Sequence, residues 1–210
     1  MTTRIRVKEV SHVFPSDGTM LSCQTARLAV LYEDLRIEVH GTSADSIPVL
    51  DVTSASYRSV YFLRRSIASL VEVAEAVRLL DREPEFGVIK NSLDPIARRL
   101  WDRAVRFFGK RERFLEAVRN DIGGHFGQQA AEWAVKNVDT SAMGKIEVSE
   151  KTIHLDFAGE IASAAMFRHL SGSTADVKLM NLLRIVRVGF RHTAHAAHCL
   201  AFTYLWNRFG

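Results

Sequence analysis

The chain has 210 residues, of which 47% are hydrophobic and 25% are charged, and its formal net charge is +4. This composition is typical of a globular protein with a hydrophobic core, and it argues against an intrinsically disordered chain. The charge is uneven, because residues 58–113 carry 13 basic and 8 acidic side chains. That stretch permits an anionic partner such as nucleic acid without requiring one.

The cysteine content and the hydropathy of the chain further restrict the class of protein that the sequence can encode. The two cysteines, Cys23 and Cys199, have no neighbour at the spacing of a metal site or a redox motif, so we expect neither a disulfide framework nor a zinc ribbon. The N-terminus lacks the apolar core of a signal peptide, and the apolar run at 192–206 is too short and too rich in histidine to span a bilayer. We therefore expect a cytoplasmic protein that does not contact a membrane.

The N-terminal half predicts a strand followed by helices. Residues 1–20 predict a short strand and turn segment, because Arg4 to Val7 alternate and a Ser-Asp-Gly turn follows. Apolar residues at helical spacing predict a first helix over 22–41, ending at Gly41. A second helix is predicted at about 54–80, and the segment REPEFG at 82–87 indicates a boundary.

A third helix is predicted to begin at Asp94-Pro95, since aspartate can cap free amides and proline is tolerated at the first helical position. Gly109 is a candidate bend in this helix, after which the apolar spacing resumes as far as Ile122. A shorter helical patch covers 128–136. The stretch AVRNDIGGHF, residues 117–126, therefore lies at the end of a long basic helix.

The hydrophobic period then changes from helical to alternating and back. Alternation at 145–157 predicts a β-hairpin insertion. Helical spacing returns at about 160–170 and at 175–206, and the last helix is apolar on several sides, which indicates a central position. Residues 1–210 are thus expected to form a single, mainly α-helical bundle domain with a small β-hairpin addition.

Three side chains near the end of the third helix could act together in one chemical reaction. Arg119, Asn120 and His125 lie within seven residues, and Gly123-Gly124 precede the histidine. A regular helix would hold Arg119 and His125 about 120° apart, but a kink at the glycines would let them meet. Histidine can exchange a proton with an RNA 2′-hydroxyl or with the leaving 5′-oxygen, and arginine can stabilise a pentacoordinate phosphate.

The order Arg119, Asn120, four residues and then His125 resembles the arginine, polar residue, spacer, histidine signature of the HEPN superfamily. The resemblance implies a HEPN-like helical bundle and a metal-independent endoribonuclease of toxin or defence type, which needs no cofactor. It implies Arg119 and His125 as the catalytic pair, with Asn120 supporting them. It also implies a homodimer whose two motifs share one cleft, and an antitoxin or another regulatory protein as a further partner.

The alternatives to this interpretation are structural. Arg119 could be a solvated helix residue, the glycines a helix stop, and His125 a favourable charge at the helix C-terminus. A non-catalytic helical module that binds RNA or a protein would use the same bundle. Arg99, Arg103 and Arg106, at spacings of four and three, predict a basic ridge that binds RNA and leads toward Arg119. The alternative is a solvated face partly neutralised by acidic residues.

A histidine cluster suggests a third hypothesis. His192, His195 and His198 follow one another at spacings of three, so adjacent pairs share a helix face and could bind one metal ion. All three together do not form a complete site without a carboxylate from elsewhere. The preferred interpretation is histidines packed along the bundle interior or an interface, and no metal site is predicted.

Overall fold

The computed structural model describes residues 19–42, 55–123, 126–138, 146–148, 153–155 and 157–200. These residues form seven α-helices, one π-helical turn (Arg119–Gly123) and two short strands. The helices are α1 (Met20–Gly41), α2 (Ala55–Arg82), α3 (Pro84–Ser92), α4 (Pro95–Val118), α5 (Gln128–Asn137), α6 (Phe157–Phe167) and α7 (Ala175–Leu200), and the strands are β1 (Ile146–Val148) and β2 (Ile153–Leu155). None of the helices in these ranges combines the length and the apolar character needed to cross a membrane.

The most extensive helix pair is α1 with α2. The side chain of Thr19 caps α1 by accepting a hydrogen bond from the Ser22 amide. At the other end, α1 stops at Gly41, where an added Cβ would lie 2.5 Å from the Phe62 ring. Glycine therefore lets α1 approach α2 closely at the point where the sequence predicts the helix to end.

Helix α3 corrects one sequence expectation. The segment predicted as a boundary contains only one residue outside a helix, Glu83, before α3 begins with Pro84 in its first turn. Phe86 is buried against Trp101, with ring centroids 4.4 Å apart. Trp101 in turn donates a hydrogen bond to Asp81 at 2.8 Å. This tertiary packing outweighs the weak local helix signal of a segment that contains proline and glycine.

Helix α4 begins as predicted, because the Asp94 carboxylate accepts hydrogen bonds from the amides of Ile96 and Ala97. It does not bend at Gly109, which is exposed and where an added Cβ would meet nothing within 4 Å. Helix α4 continues to Val118, and the π-helical turn follows directly. The whole length from Pro95 to Gly123 is therefore one helical rod with a wider last turn.

Helix α7 packs on α1, α2 and α4 and is central to the bundle. Its Phe190 stacks on Tyr32 of α1 with centroids 6.0 Å apart. Its Gly189 meets Leu70 of α2, where an added Cβ would lie 2.7 Å from Leu70 Cδ2. Residues 201–206, the predicted end of this helix, lie outside the described residues.

The mainly α-helical fold is confirmed. Strands β1 and β2 pair antiparallel, with Ile146 opposite Leu155 and Val148 opposite Ile153. The turn that would join them is not among the described residues, so the complete hairpin at 145–157 stays a prediction. The same holds for the N-terminal strand, since residues 1–18 lie outside the described part, and for a single domain over 1–210.

Candidate functional site

The end of α4 is a π-helical turn, Arg119–Gly123. Such turns are rare, and they occur frequently at functional sites. The sequence predicts a departure from regular helix at Gly123-Gly124, and the structure places the departure earlier, at Arg119. Gly124 and His125 lie outside the described residues, so the meeting of His125 with Arg119 stays a prediction.

Arg119 is held by two neighbours and remains accessible. Its Nε and Nη2 donate hydrogen bonds of 3.4 and 3.3 Å to Asn120 Oδ1. Its Nη1 lies 3.6 Å from Glu72 Oε1 on α2, and 38% of the side chain is exposed. These contacts are long, so each is weak, but together they orient the guanidinium. The structure thus brings Arg119 and Asn120 together and adds Glu72 as a partner from across the bundle.

Glu72 belongs to a network of balanced charges. Arg27 on α1 contacts Glu72 and donates a hydrogen bond of 2.7 Å to Glu75. This bond and the charge of Arg27 lower the pKa of Glu75 against the opposing effect of burial, and Arg78 and Arg119 add to the lowering. Burial alone would lower the pKa of Arg27, but the two glutamates raise it. Arg27 and Glu75 are therefore both charged at neutral pH.

A groove between α2 and α4 runs up to Arg119. Two adjoining cavities share Ala74, Arg78 and Glu112, with volumes of about 160 Å³ beside Arg119 and about 290 Å³ further along. Arg78 and Glu112 face each other across the groove at 3.6 Å. The groove is therefore lined by paired charges, and it gives solvent a path to the Arg119 guanidinium.

Asp121 ties the π-helical turn to the end of α6. Its carboxylate accepts a hydrogen bond of 2.6 Å from His169 Nε2 and lies 3.4 Å from Arg168 Nη1, and only 16% of its side chain is exposed. Asn120 and Asp121 also line a cavity of about 510 Å³ that Gly127 and Gln128 of the next segment complete. Sequence reasoning missed Asp121 and His169, because the only signal is an aspartate directly after Arg-Asn.

The predicted RNA-binding arginines lie on a different side of α4. Arg99, Arg103 and Arg106 are all exposed. In a regular helix Arg99 and Arg119 lie about 160° apart, and Arg119 faces α2. Arg103 is instead close enough to His192 and His195 of α7 that its charge helps to lower the pKa of both. The structure therefore does not bring this ridge to Arg119, and its role in RNA binding stays a prediction.

The histidines of α7 are packed rather than arranged for a metal ion. The ring of His192 lies 4.8 Å from Phe107 and 6.2 Å from His195. Burial, together with the charges of Arg191, Arg103 and Arg111 and the neighbouring His195, lowers the pKa of His192 to about 4, and burial is the largest cause. His198 is exposed. Within the described ranges, no group of three or more histidine, cysteine or acidic side chains could hold a metal ion.

The described residues thus present an accessible arginine in a π-helical turn, braced by an amide and a carboxylate, beside an aspartate that holds a histidine. Compared with known protein families, with characterised proteins and with solved structures, the chain shows no match.

Proposed function

We propose that this protein is a metal-independent endoribonuclease of HEPN type, with Arg119, Asn120 and His125 as its catalytic group. The observation that carries the proposal is the state of Arg119. Its guanidinium is oriented by Asn120 and Glu72 and still has 38% of its side chain exposed. A buried structural arginine would not be open to a phosphate, and a solvated surface arginine would not be held in one position.

The chemistry follows from these groups. The 2′-hydroxyl of the substrate attacks the adjacent phosphorus while a base takes its proton. The bond between phosphorus and the 5′-oxygen breaks, and an acid protonates that oxygen, which leaves a 2′,3′-cyclic phosphate and a free 5′-hydroxyl. Arg119 stabilises the charge on the phosphate, and Asn120 fixes the orientation of the Arg119 guanidinium. His125 transfers a proton in one of these steps.

The proposal includes the assembly and the setting. One Arg-His pair offers few groups for both the acid and the base, so we expect a homodimer in which two motifs share a cleft. Arg99, Arg103 and Arg106 bind the RNA, and an antitoxin or another regulatory protein controls a toxin or defence activity in the cytoplasm.

Cleavage in the presence of a chelator tests the proposal. We expect wild-type protein with EDTA to cut RNA and to leave 2′,3′-cyclic phosphate ends. Loss of one charge-stabilising group should reduce kcat by about 10²–10³ for Arg119→Ala, and His125→Ala should have a similar effect. Arg36→Ala is the matched control, because Arg36 pairs only with Glu33 on α1 in the described residues, and it should cleave like wild type.

Two results would contradict the proposal. One is intact RNA after incubation with wild-type protein, beside a nuclease that degrades the same RNA. The other is an Arg119→Ala variant that retains full activity, since a contaminating nuclease would then explain the cleavage.

A non-catalytic RNA-binding module is the second candidate. It is favoured by the exposed arginines on the side of α4 away from Arg119, which need no catalytic group to bind phosphates. In that case wild type and His125→Ala should bind RNA equally, and neither should turn it over.

A further inference from the structure

Helix α4 carries a longer basic row than the three predicted arginines. The row continues at the same spacings of four and three, and all its members are exposed. It consists of Arg99, Arg103, Arg106, Lys110 and Arg113. The acidic residues of this stretch, Asp102 and Glu112, pair with Lys90 of α3 and Arg78 of α2 rather than with the row. From Arg99 to Arg113 the row spans 14 residues, or about 21 Å of helix at 1.5 Å per residue.

Helix α7 carries a second basic row. Arg184, Arg187 and Arg191 are exposed and follow spacings of three and four, so they share one face of the helix. The only acidic residue of α7 is Asp176, in its first turn. This row therefore has no carboxylate on its own helix that could neutralise it.

The two rows lie on neighbouring antiparallel helices. Cys199 of α7 contacts the Ala97 carbonyl at the start of α4, and His192 packs on Phe107 further along. The charges of Arg103 from one row and of Arg191 from the other both help to lower the pKa of the half-buried His192 and His195. The rows thus flank the same contact between helices, and we call the eight residues together the basic face.

The basic face is uncompensated within the described part of the chain. None of its eight residues forms an ion pair with another described residue, whereas Arg27, Arg78, Arg119 and Arg168 each lie within 4 Å of a carboxylate. Eight neighbouring cations that pair with no described carboxylate repel one another, so an anion bound from outside would stabilise the face.

The surroundings favour a nucleic acid over a lipid surface. Helices that lie on membranes expose large apolar side chains beside their cations. The exposed large hydrophobic residues of these two helices are Ile96, Val177 and Met180, which lie at the ends of the rows, about one to two turns before Arg99 or Arg184. None lies within 99–113 or 184–191. Two rows of cations without apolar residues between them suit a chain of phosphates.

We infer that the basic face of α4 and α7 is an anchoring site for RNA, on the other side of α4 from Arg119. The choice of RNA as the polyanion rests on the proposed ribonuclease function. The row on α4 leads at its C-terminal end to Asn120, seven residues beyond Arg113 and therefore on nearly the same helix face. An RNA bound to the face reaches Arg119 by passing Asn120, so the site selects long substrates.

Two triple variants of equal charge test this inference. The first changes Arg103, Arg187 and Arg191 of the basic face to Gln. The control changes Arg36, Arg82 and Lys136, which are exposed on other helices, to Gln. Binding of an RNA of about 20 nucleotides and of a tetranucleotide is measured by fluorescence anisotropy over a range of salt concentrations. Circular dichroism checks that both variants fold.

We expect the basic-face variant to bind the long RNA at least tenfold more weakly and to lose about two to three units from the slope of log K against log salt, since each phosphate contact contributes about 0.7–0.9. The control should change affinity less than twofold, and the tetranucleotide should not distinguish the two. Arg119→Ala removes one phosphate contact and should weaken binding of the long RNA less than the basic-face variant does.

The result separates this inference from the proposed function. If wild type cuts RNA but the basic-face variant binds and cuts the long RNA normally, the inference is overturned and the nuclease stands. If wild type does not cut RNA and the basic-face variant still loses binding, the anchoring site stands and the nuclease falls. Tighter binding of wild type to phosphatidylserine vesicles or to duplex DNA than to RNA would overturn the assignment to RNA.

Discussion

The two sides of α4 differ in whether their charged side chains form ion pairs with other described residues. Toward α2, Arg119, Arg78 and Arg27 each face a glutamate. The groove between α2 and α4 is lined by Arg119 and by the pair of Arg78 with Glu112. Toward α7, the basic face has no ion partner among the described residues, and the half-buried His192 beside it, with a pKa of about 4, is uncharged at neutral pH. Compensated charges fix side chains in place for a reacting group, whereas uncompensated cations remain available to an external anion.

The largest effect on stability is expected at the contact between α7 and α2, where Gly189 packs on Leu70. Gly189→Ala would place a Cβ 2.7 and 2.9 Å from the Leu70 methyl groups, and Leu70 is fully buried. We expect this overpacking to lower the free energy of unfolding by about 1–3 kcal/mol, measured by urea denaturation. It would also weaken the basic face, because α7 must move from α2.

Gly109→Ala is the control for this substitution. Its Cβ would meet nothing within 4 Å, so the higher helix propensity of alanine should raise the free energy of unfolding by about 0.5–1 kcal/mol. Equal stability of the two alanine variants would show that α7 does not depend on the close approach at Gly189.

The next effect tests the compensated side. Glu72→Gln removes the carboxylate that Arg27 and Arg119 share. The side chains are partly exposed, so we expect the free energy of unfolding to fall by only about 1 kcal/mol. Under the proposed function, kcat should fall about tenfold with little change in KM, because a less firmly held guanidinium stabilises the transition state less well.

Glu33→Gln is the matched control, since Glu33 pairs with the exposed Arg36 on a single helix. We expect it to cost less than about 0.5 kcal/mol and to leave kcat unchanged. Identical kinetics of the two glutamine variants would mean that Glu72 does not position Arg119.

The last prediction concerns the pH dependence of stability on the α7 side. The pKa of His192 is about 4 in the folded protein, because of burial and of the nearby arginines, against about 6.5 in the unfolded chain. The unfolded chain binds the extra proton first, so this contribution to stability is full above pH 6.5 and is lost as the pH falls toward 4. The free energy of unfolding at pH 5 should therefore lie below that at pH 7.5.

Changing both Arg103 and Arg191 to Gln should weaken this dependence, because two of the charges that lower the pKa of His192 are removed. At pH 7.5 the double variant should be as stable as wild type or more stable by about 0.5 kcal/mol, since like charges are separated. His192→Phe keeps a ring against Phe107 and removes this titration. An unchanged difference between pH 5 and pH 7.5 in His192→Phe would show that other groups cause it.

The parts of the fold that the sequence predicts are those with local signals. The Asp94 cap is visible because it depends on neighbouring residues. The end of α1 at Gly41 is also placed correctly from the sequence, but the structural reason for the glycine is its contact with Phe62, which the sequence does not show. Helix α3 is not visible, because its stability comes from the contact of Phe86 with Trp101. Propensity over nine residues that include proline and glycine cannot reveal a partner that lies 15 residues away.

The site divides in the same way. The contact between Arg119 and Asn120 joins adjacent residues and is predictable. The contact between Asp121 and His169 joins residues 48 positions apart and requires the fold. The basic row of α4 could have been extended to Lys110 and Arg113 by its spacing alone. The row on α7 is hard to recognise in the sequence, because its three arginines alternate with apolar residues and histidines.

The number of residues in the π-helical turn sets how the chain after it is rotated relative to α4. Deleting Ile122 would let the last turn tighten to regular α-helix, and the downstream chain would rotate by about 100° relative to α4. Asp121 would then point away from His169 although neither residue had been altered. The orientation of Asp121 relative to His169 therefore depends on the number of residues in the π-helical turn, which substitutions of single residues do not change.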